Sequence, residues 1–338
     1  ASFRLGRVEE AIARQRDGLD LARTLKNRVE EGRSLTALGL ILLESRQPAL
    51  AVEHMEQAVE IAREVGDRVL ESRALGNLAN AAAYVLRDYI SAREYYKQAQ
   101  KLAVELGDRF GEGVEKANIG WVTMLLGDYE TARAELEGDL SIAREVDHSY
   151  QEIYTLLNLS AVNEAQGNVE PSEQYAVQAM ELSLERGDRS GEAWSYYYLG
   201  NALLGSGKLD EARSAFARAL QMRAEQNQPS LAKEPLAGLI RVALADHDHA
   251  LAIQYANEVM EYLANGGTLD GAEEPLRIYL ACFDALKTKH DPRCDEILAV
   301  ARDLLNAQAA RISVVSSRRR FIDNVPWRRE IMEHVAKM

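Results

Sequence analysis

A period of 40 residues runs through this 338-residue chain and limits the folds that it can adopt. Residues 190–229 form one copy of the repeating unit, which reads as two amphipathic helices joined by a turn. Gly200 allows another helix to approach the first helix closely, Gly207 lies in the turn and Ala212 lies early in the second helix. A period of this length indicates a helical solenoid, in which short helical units stack on one another.

The turn position recurs at a constant interval in both directions from Gly207. Every step is 40 residues, except that from 46 to 87, which is 41. The turn series reads Gly6, Arg46, Arg87, Gly127, Gly167, Gly207, His247 and Lys287. The early second-helix series reads Ala11, Ala51, Ala92, Ala132, Ser172, Ala212 and Ala252. Small residues in this register predict closely packed helix pairs, each of which contacts mainly its neighbours.

The repeat predicts two segments of unequal length. Residues 1–311 are expected to form about seven helix pairs, and residues 312–338 a C-terminal capping segment. The chain opens near the end of a first helix, so that residues 7–27 form a second helix whose partner is mostly missing. Solenoids normally begin with a complete or specially capped unit. We therefore expect the chain to be a fragment of a longer multidomain protein.

Composition narrows the classes of partner and the cellular compartment. The net charge of −13 argues against general binding to nucleic acid or to anionic membranes, since both need a positively charged surface. No apolar run approaches the ~20 residues of a membrane span, and no signal-peptide pattern is present. Two cysteines, Cys282 and Cys294, are too few for a disulfide framework. A reducing cytoplasm is the expected location.

The repeating pattern resembles the tetratricopeptide repeat. In the copies 119–132 and 199–212, Leu or Ile is followed by Gly, and a second Gly lies seven positions after the first. These copies then continue with Asp or Lys, Tyr or Leu, two variable residues and Ala. The 40-residue period resembles the variant in bacterial signal-transducing ATPase (STAND, MalT-like) regulators and in scaffold proteins that orient mitotic spindles. The resemblance covers residues 1–310. It implies an all-α fold, a right-handed superhelix of the α-solenoid type.

The C-terminal tail departs from the repeat. Residues 321–331 read FIDNVPWRREI and resemble the segment that closes tetratricopeptide arrays in large bacterial regulators. A final helix that covers the last unit is what a solenoid requires, and Pro326 suits a helix start. Alternatively, the cluster Arg318–Arg320 docks an acidic partner or nucleic acid, although runs of charge are usually solvated.

Asp139 breaks the pattern of the second helices. Its equivalents in other units are alanines: Ala58, Ala99, Ala179 and Ala219. An unpartnered buried carboxylate is costly. We therefore expect Asp139 to have a partner or its helix to be locally displaced, and a functional role is the alternative.

Catalytic motifs are not apparent in the sequence. It contains no phosphate-binding loop ending in GK[ST], and no GxSxG, HExxH or EF-hand pattern. His247-Asp248-His249 falls in a turn between helices and has no further Cys/His cluster nearby, so we do not expect a metal site. The sequence predicts a non-enzymatic domain without a cofactor.

The resemblance places ligand binding on the concave face, which the first helices line. The family uses polar and aromatic residues there, and Asn118 and Asn158 fall where it often places an asparagine that grips a peptide backbone. Aromatic side chains are favoured interface anchors, but Trp121, Trp194 and Tyr197 equally suit the core. The candidate ligand-binding residues are Asn77, Tyr84, Asn118, Trp121, Tyr154, Asn158, Trp194, Tyr197, Asn201 and Arg241.

Two functions fit these observations. The first is the sensor domain of a multidomain bacterial signalling or transcription regulator, which binds a peptide or protein in its groove. Its partners would include upstream domains, such as a nucleotide-binding ATPase. The second is a constitutive scaffold that assembles protein complexes. An enzyme would require a catalytic group that the sequence does not show.

Overall fold

The computed structural model describes residues 2–45 and 47–337, so that Arg46 of the turn series lies outside the described residues. Within those ranges the chain forms 17 α-helices and one π-helical segment, and no β-strand. The all-α prediction is therefore confirmed. None of the helices in the described part of the chain is long and apolar enough to cross a membrane.

The chain divides into two compact units, each described by itself. The first contains residues up to Thr123 together with Arg311–Ser313, and the second contains the rest. Helices of the first unit are α1 (Ser2–Thr24), α2 (Arg28–Glu44), α3 (Pro48–Val65), α4 (Arg68–Asn80), the π-helical segment Ala81–Leu86, α5 (Tyr89–Leu106) and most of α6 (Arg109–Leu125).

Large aliphatic side chains fill the centre of the first unit. Leu35, Leu42 and Met55 are fully inaccessible to solvent and pack with Leu75 and Leu78 of α4. The expectation that a first helix ends near Gly6 is wrong. α1 runs through this residue without a turn, because the sequence 2–24 contains no proline and a helix tolerates its two glycines, Gly6 and Gly18.

Paired helices also build the second unit. They are α7 (Tyr129–Glu145), α8 (Ser149–Ala165), α9 (Val169–Arg186), α10 (Arg189–Gly205), α11 (Leu209–Glu225), α12 (Lys233–Ala245), α13 (His249–Ala264), α14 (Pro275–Lys287), α15 (Arg293–Ala310), α16 (Val315–Asp323) and α17 (Pro326–Val335). The first helices contact one another in sequence, α8 with α10, α10 with α12, and α12 with α14. These four helices therefore form a continuous inner row.

The turn register predicted from the 40-residue period is visible in the backbone. Arg87, Gly127, Gly167, Gly207 and His247 all have a left-handed conformation, with φ between 55° and 77°. The series fails at Lys287, which still belongs to α14, and the left-handed residue of this longer turn is His290. The 40-residue register is therefore lost at the turn that follows α14.

Small residues allow the helices of a pair to approach closely, as the sequence indicated. Ala51, Ala132 and Ala212 are completely buried. At Gly200 an added Cβ atom would lie 2.8 Å from the ring of Phe216 in α11. Any larger residue at Gly200 would therefore push this ring out of the core.

Asp139 has partners, and they explain why a carboxylate replaces alanine at this position. The side chain is fully buried, and its Oδ2 accepts hydrogen bonds from the Thr155 hydroxyl and, at 3.1 Å, from the Gln151 amide in α8. The expectation of a partner is confirmed. The carboxylate links α7 to α8.

The C-terminal segment contains two short helices, where a single capping helix was expected. Val325, with an extended backbone, separates α16 from α17. α17 begins at Pro326, as the sequence predicted, and it packs against α14 and α15. The buried side chains of Phe321, Val325 and Ile331 hold the segment in place.

Candidate ligand-binding surfaces

Ten residues were predicted to face a ligand, and they fall into two groups. Asn77, Tyr84, Asn118 and Trp121 belong to the first unit. Tyr154, Asn158, Trp194, Tyr197, Asn201 and Arg241 belong to the second. The two groups differ in how far their side chains are exposed and in what they contact.

In the first unit, Tyr84 and Trp121 form a stacked aromatic pair. Their ring centroids lie 4.6 Å apart and their planes differ by 19°. Trp121 is 8 % exposed and is held from another side by the edge of Tyr89, whereas Tyr84 remains 54 % exposed. Trp121 is therefore buried and supports the ring of Tyr84, which presents an aromatic surface to solvent.

The π-helical segment places Tyr84 in this position. Ala81, Ala82 and Ala83 are buried, while Tyr84 and Val85 point outward. At the end of the segment, Arg311 donates a 2.5 Å hydrogen bond to the carbonyl oxygen of Leu86. Short π-helical insertions in α-helices are frequent at functional sites, because the extra residue redirects side chains.

A partly buried acid, Glu115, lies on α6, the helix that also carries Trp121. Burial raises the pKa of the Glu115 carboxyl group to about 7, although the side chain of Asn118 acts to lower it. Its Oε2 has no hydrogen-bond partner among the described residues. Gly76 of α4 faces the carboxyl group, since a Cβ atom there would lie 3.1 Å from Oε1.

Tyr96 of α5 belongs to the same unit. It is fully buried and donates a 2.7 Å hydrogen bond to Oδ1 of Asn80. Burial raises the pKa of Tyr96, and the neighbouring Tyr84 and Glu115 raise it further. We call the following residues of the first unit the Tyr84 surface: Asn77, Asn80, Tyr84, Glu115, Asn118 and Trp121.

Sequence reasoning missed Glu115, although a signal was present. Residues in register with it, 40 positions apart, are Leu75, Thr155, Ser195 and Pro235, none of them charged. A charge at a position that is uncharged in the neighbouring units is the same signal that singled out Asp139.

In the second unit, the predicted aromatic residues contact other parts of the same unit. Trp194 meets Tyr197 edge-on at 5.8 Å, and the guanidinium of Arg223 lies 4.4 Å from the centre of the Trp194 ring. Tyr197 is buried. Tyr154 packs against Tyr150, with ring centroids 4.7 Å apart.

The predicted polar residues of this unit are similarly engaged. Arg241 donates a 3.0 Å hydrogen bond to Oδ1 of Asn201, which is almost completely buried. Asn158 is partly buried on α8. Arg241 and Asn201 thus connect the inner helices α12 and α10, whereas Trp194 packs against Arg223 of α11.

A polar network crosses the inner row of helices in the second unit. Arg277 of α14 forms an ion pair with Glu164 of α8 at 2.5 Å, and its guanidinium lies 4.8 Å from the centre of the Trp327 ring. Trp327 donates a 3.0 Å hydrogen bond to Glu274, which also binds Arg328 at 2.5 Å. α17 is therefore attached to the inner row by its own side chains.

The C-terminal segment also contacts the turn between α6 and α7. Arg328 donates to the carbonyl oxygen of Leu125 at 2.7 Å, and Asn324 to that of Gly127 at 2.8 Å. Arg320 pairs with Asp128 at 2.8 Å, and Arg319 with Asp323 in its own helix. The arginine cluster thus has partners within the chain.

Two groups of side chains resemble metal ligands. His247 and His249 lie in the turn before α13, with ring centroids 6.5 Å apart. Asp284, Glu330 and His334 offer three ligand atoms within 4.8 Å of one another. The Lys287 ammonium lies 3.3 Å from Nδ1 of His334, and this charge opposes a second cation there.

Comparison with known proteins agrees with this geometry. Residues 1–64 and 155–225 match the family model described as tetratricopeptide repeat. These two stretches of the chain are tetratricopeptide repeats. A search of curated protein sequences gives no match.

Solved structures share the fold of the array at low sequence identity. The Rap protein complexed with competence and sporulation factor is 14 % identical, with a TM-score of 0.62 over 99 % of this chain and 98 % of that chain. The quorum sensor NprR from B. thuringiensis, in its apo form, is 15 % identical, with a TM-score of 0.64 over 88 % and 84 %. A STAND protein from Pyrococcus horikoshii with a tetratricopeptide repeat sensor is 17 % identical, with a TM-score of 0.58 over 85 % and 43 %.

Proposed function

We propose that the array is a non-enzymatic recognition domain that binds a segment of another protein on the Tyr84 surface. The observation that carries this proposal is the exposed ring of Tyr84, stacked on the buried ring of Trp121. Large aromatic rings with little conformational freedom are typical anchors of protein interfaces. Because Trp121 fixes the orientation of Tyr84, a ligand loses little free energy in ordering it.

The contacts within the second unit favour the first unit as the place where the ligand binds. Its predicted binding residues already contact each other and Arg223, and α17 covers the ion pair between Arg277 and Glu164. A ligand on these inner helices would have to displace Trp327 or Arg328, with the loss of their hydrogen bonds to Glu274. Tyr84 of the first unit remains exposed to solvent.

We further propose that the array acts as the sensor of a multidomain bacterial signalling or transcription regulator in the cytoplasm. Among solved structures with this fold are a complex with competence and sporulation factor, a quorum sensor and a tetratricopeptide repeat sensor of a STAND protein. The last of these supports an upstream ATPase domain as the element that the sensor controls. These structures resemble the chain in fold only. The role as a sensor is our proposal.

A constitutive scaffold is the second candidate. The buried ion pair between α8 and α14 favours it, since such pairs hold one arrangement of helices. The two candidates differ in whether ligand binding changes the array. Small-angle scattering with and without the ligand distinguishes them, because a scaffold keeps the same radius of gyration.

The Tyr84→Ala variant tests the proposed surface. A photo-crosslinker placed at Val85, next to Tyr84, captures the partner from a native lysate, and the affinity of the purified partner is then measured for each variant. We expect Tyr84→Ala to weaken binding by about tenfold or more, as loss of an anchor residue does. Phe110→Ala, which removes another exposed aromatic ring of the first unit, serves as the matched control. Equal binding by both variants would contradict the proposal.

A further inference from the structure

We propose that a cavity of the second unit binds an α-amino acid, with its carboxylate group on Arg241 and its ammonium group on Asp284 and Glu330. The inference goes beyond the proposed function, because it concerns a small molecule and a site outside the Tyr84 surface. Three features of the cavity carry it: an arginine whose hydrogen-bond partner within the described residues is uncharged, two adjacent carboxylates and an apolar wall.

The cavity lies between α17 and the inner helices α8, α12 and α14. Its volume is about 560 Å³, counted to its mouth, which is within the range of small-molecule sites, roughly 300–1,000 Å³. α12 contributes Arg241, α14 contributes Arg277 and Asp284, and α17 contributes Trp327 and Glu330. An amino acid fits beside Trp327 with α17 in place, whereas a protein segment on the inner helices would displace it.

Arg241 gives one side of the cavity a positive charge. Among the residues that the structure describes, its hydrogen bond is to an uncharged group, Oδ1 of Asn201, at 3.0 Å, and it forms no ion pair. Arg277 lines the same cavity but is already paired with Glu164 through two hydrogen bonds, of 2.5 and 3.1 Å. Burial and the charge of Arg277 lower the pKa of Arg241 to about 10, so the guanidinium stays charged at neutral pH. A guanidinium pairs with a carboxylate through parallel hydrogen bonds, so a ligand carboxylate is the expected partner.

Asp284 and Glu330 give another side of the cavity a negative charge. Their carboxylate oxygens and Nε2 of His334 lie within 4.8 Å of one another. The two distances to Nε2, 3.8 Å from Asp284 and 3.7 Å from Glu330, are too long for hydrogen bonds. The carboxylate side chains are 30 % and 50 % exposed, so a ligand can reach them. Two carboxylates this close repel each other, and a cation between them removes the repulsion.

A monovalent ammonium group suits this side better than a metal ion. The Lys287 ammonium lies on the Nδ1 side of His334, and these two residues line a different cavity. Its charge offsets one of the two carboxylate charges and leaves one for a ligand. A divalent ion would exceed this remaining charge, whereas an ammonium group matches it and has three N–H donors.

An amino acid supplies both charges in one molecule. Within the described part of the chain, Arg241 and Asp284 line the same cavity but do not pair with each other. An anion alone would be repelled by Asp284 and Glu330, and an amine alone by Arg241. The α-carboxylate and α-ammonium groups of an amino acid share one carbon atom, so both can be neutralised at once. Leu280 and Trp327 form an apolar wall, which favours an apolar side chain.

Three related molecules test the two charged contacts. The probes are L-leucine, L-leucinamide, which has no carboxylate, and 4-methylpentanoate, which has no ammonium group. Each is titrated into the full chain by isothermal calorimetry, and the other standard amino acids are titrated in the same way. We expect apolar amino acids to bind, and we expect each leucine analogue to bind at least tenfold more weakly than leucine, as loss of a hydrogen-bonded charged group does.

Variants at the two sides of the cavity should lose different preferences. We expect Arg241→Met to bind leucine and leucinamide equally, because the partner of the carboxylate is gone. We expect Asp284→Asn to reduce the preference for leucine over 4-methylpentanoate, while Asp295→Asn, which removes an exposed charge on α15, changes neither preference. Circular dichroism confirms that each variant is folded, and Glu330→Gln, on the half-exposed residue, replaces Asp284→Asn if that variant is not. Binding of no amino acid by the wild-type chain, or the same preferences in all variants, would overturn the inference.

Discussion

Arg277 of α14 forms a buried ion pair with Glu164 of α8, although 113 residues separate them in the sequence. The side chains are 9 % and 16 % exposed, and the pair spans the inner row of the second unit. It connects helices that are not sequence neighbours, whereas most contacts in a solenoid are between adjacent helices. Stability of this unit should therefore depend on it.

We expect Arg277→Met to lower the free energy of unfolding by about 3–5 kcal/mol, because it leaves Glu164 buried without its partner. The double variant Arg277→Met/Glu164→Leu should lose less, since no charge is left unpaired. Urea denaturation measures both. Arg213→Met is the control, as it breaks an exposed pair with Asp246 and should cost less than about 1 kcal/mol. Equal losses from the two single variants would contradict this role of the pair.

Gly127→Ala should loosen the C-terminal segment. Gly127 and Gly207 both have left-handed backbones, with φ of 75° and 74°, so alanine costs each about 1 kcal/mol. At Gly127 the new Cβ atom would also lie 2.6 Å from the Arg320 carbonyl oxygen, whereas nothing lies within 4 Å at Gly207. We expect faster proteolysis within α16 for Gly127→Ala only. Identical cleavage of the two variants would show that the segment does not depend on this close approach.

Glu115 should make stability depend on pH. Burial raises the pKa of its carboxyl group from 4.5 to about 7, so the folded state loses stability relative to the unfolded state as pH rises between these values. A shift of this size corresponds to about 3 kcal/mol above pH 7. We expect Glu115→Gln to stabilise the chain by up to this amount at pH 8 and by much less at pH 4.

Urea denaturation at the two pH values measures the effect of Glu115→Gln. Glu105→Gln controls for the loss of one negative charge from the same unit. A destabilising effect of Glu115→Gln at pH 8 would contradict the raised pKa of this carboxyl group.

Asp139 should stabilise the fold through Thr155. Asp139→Ala, which restores the alanine of other units, is expected to destabilise the chain by about 1–3 kcal/mol, because it leaves the Thr155 hydroxyl buried without an acceptor. The double variant Asp139→Ala/Thr155→Val should recover part of this loss. A stable single variant would instead show that the buried carboxylate serves another purpose.

The periodic sequence predicted the fold because each unit repeats the same local requirements. Left-handed turn residues at 40-residue intervals and a small residue at Ala212 follow from contacts within one pair of helices. The contact between Arg277 and Glu164 could not be predicted, since it depends on how several pairs stack. The π-helical segment that exposes Tyr84 was also hidden, because its composition, AAAYVL, suits an ordinary α-helix.

The candidate residues of the two units illustrate the same limit. Helical spacing placed Tyr84, Trp121, Trp194 and Tyr197 on inner faces. It did not distinguish an aromatic side chain that is buried against its neighbours from one that is exposed and can contact a ligand. This difference depends on neighbours such as Tyr89 and Arg223, which come from other helices.

Hydrogen–deuterium exchange of the full chain with a bound peptide tests the central claim most directly. The peptide is selected from a random display library against the complete array, so that neither unit is favoured in advance. We predict that it protects backbone amides around 77–89 and 112–123, which carry the Tyr84 surface, and that Tyr84→Ala abolishes this protection. Protection confined to α8, α10 and α12, or release of α17 on binding, would contradict the account and place recognition on the inner helices of the second unit.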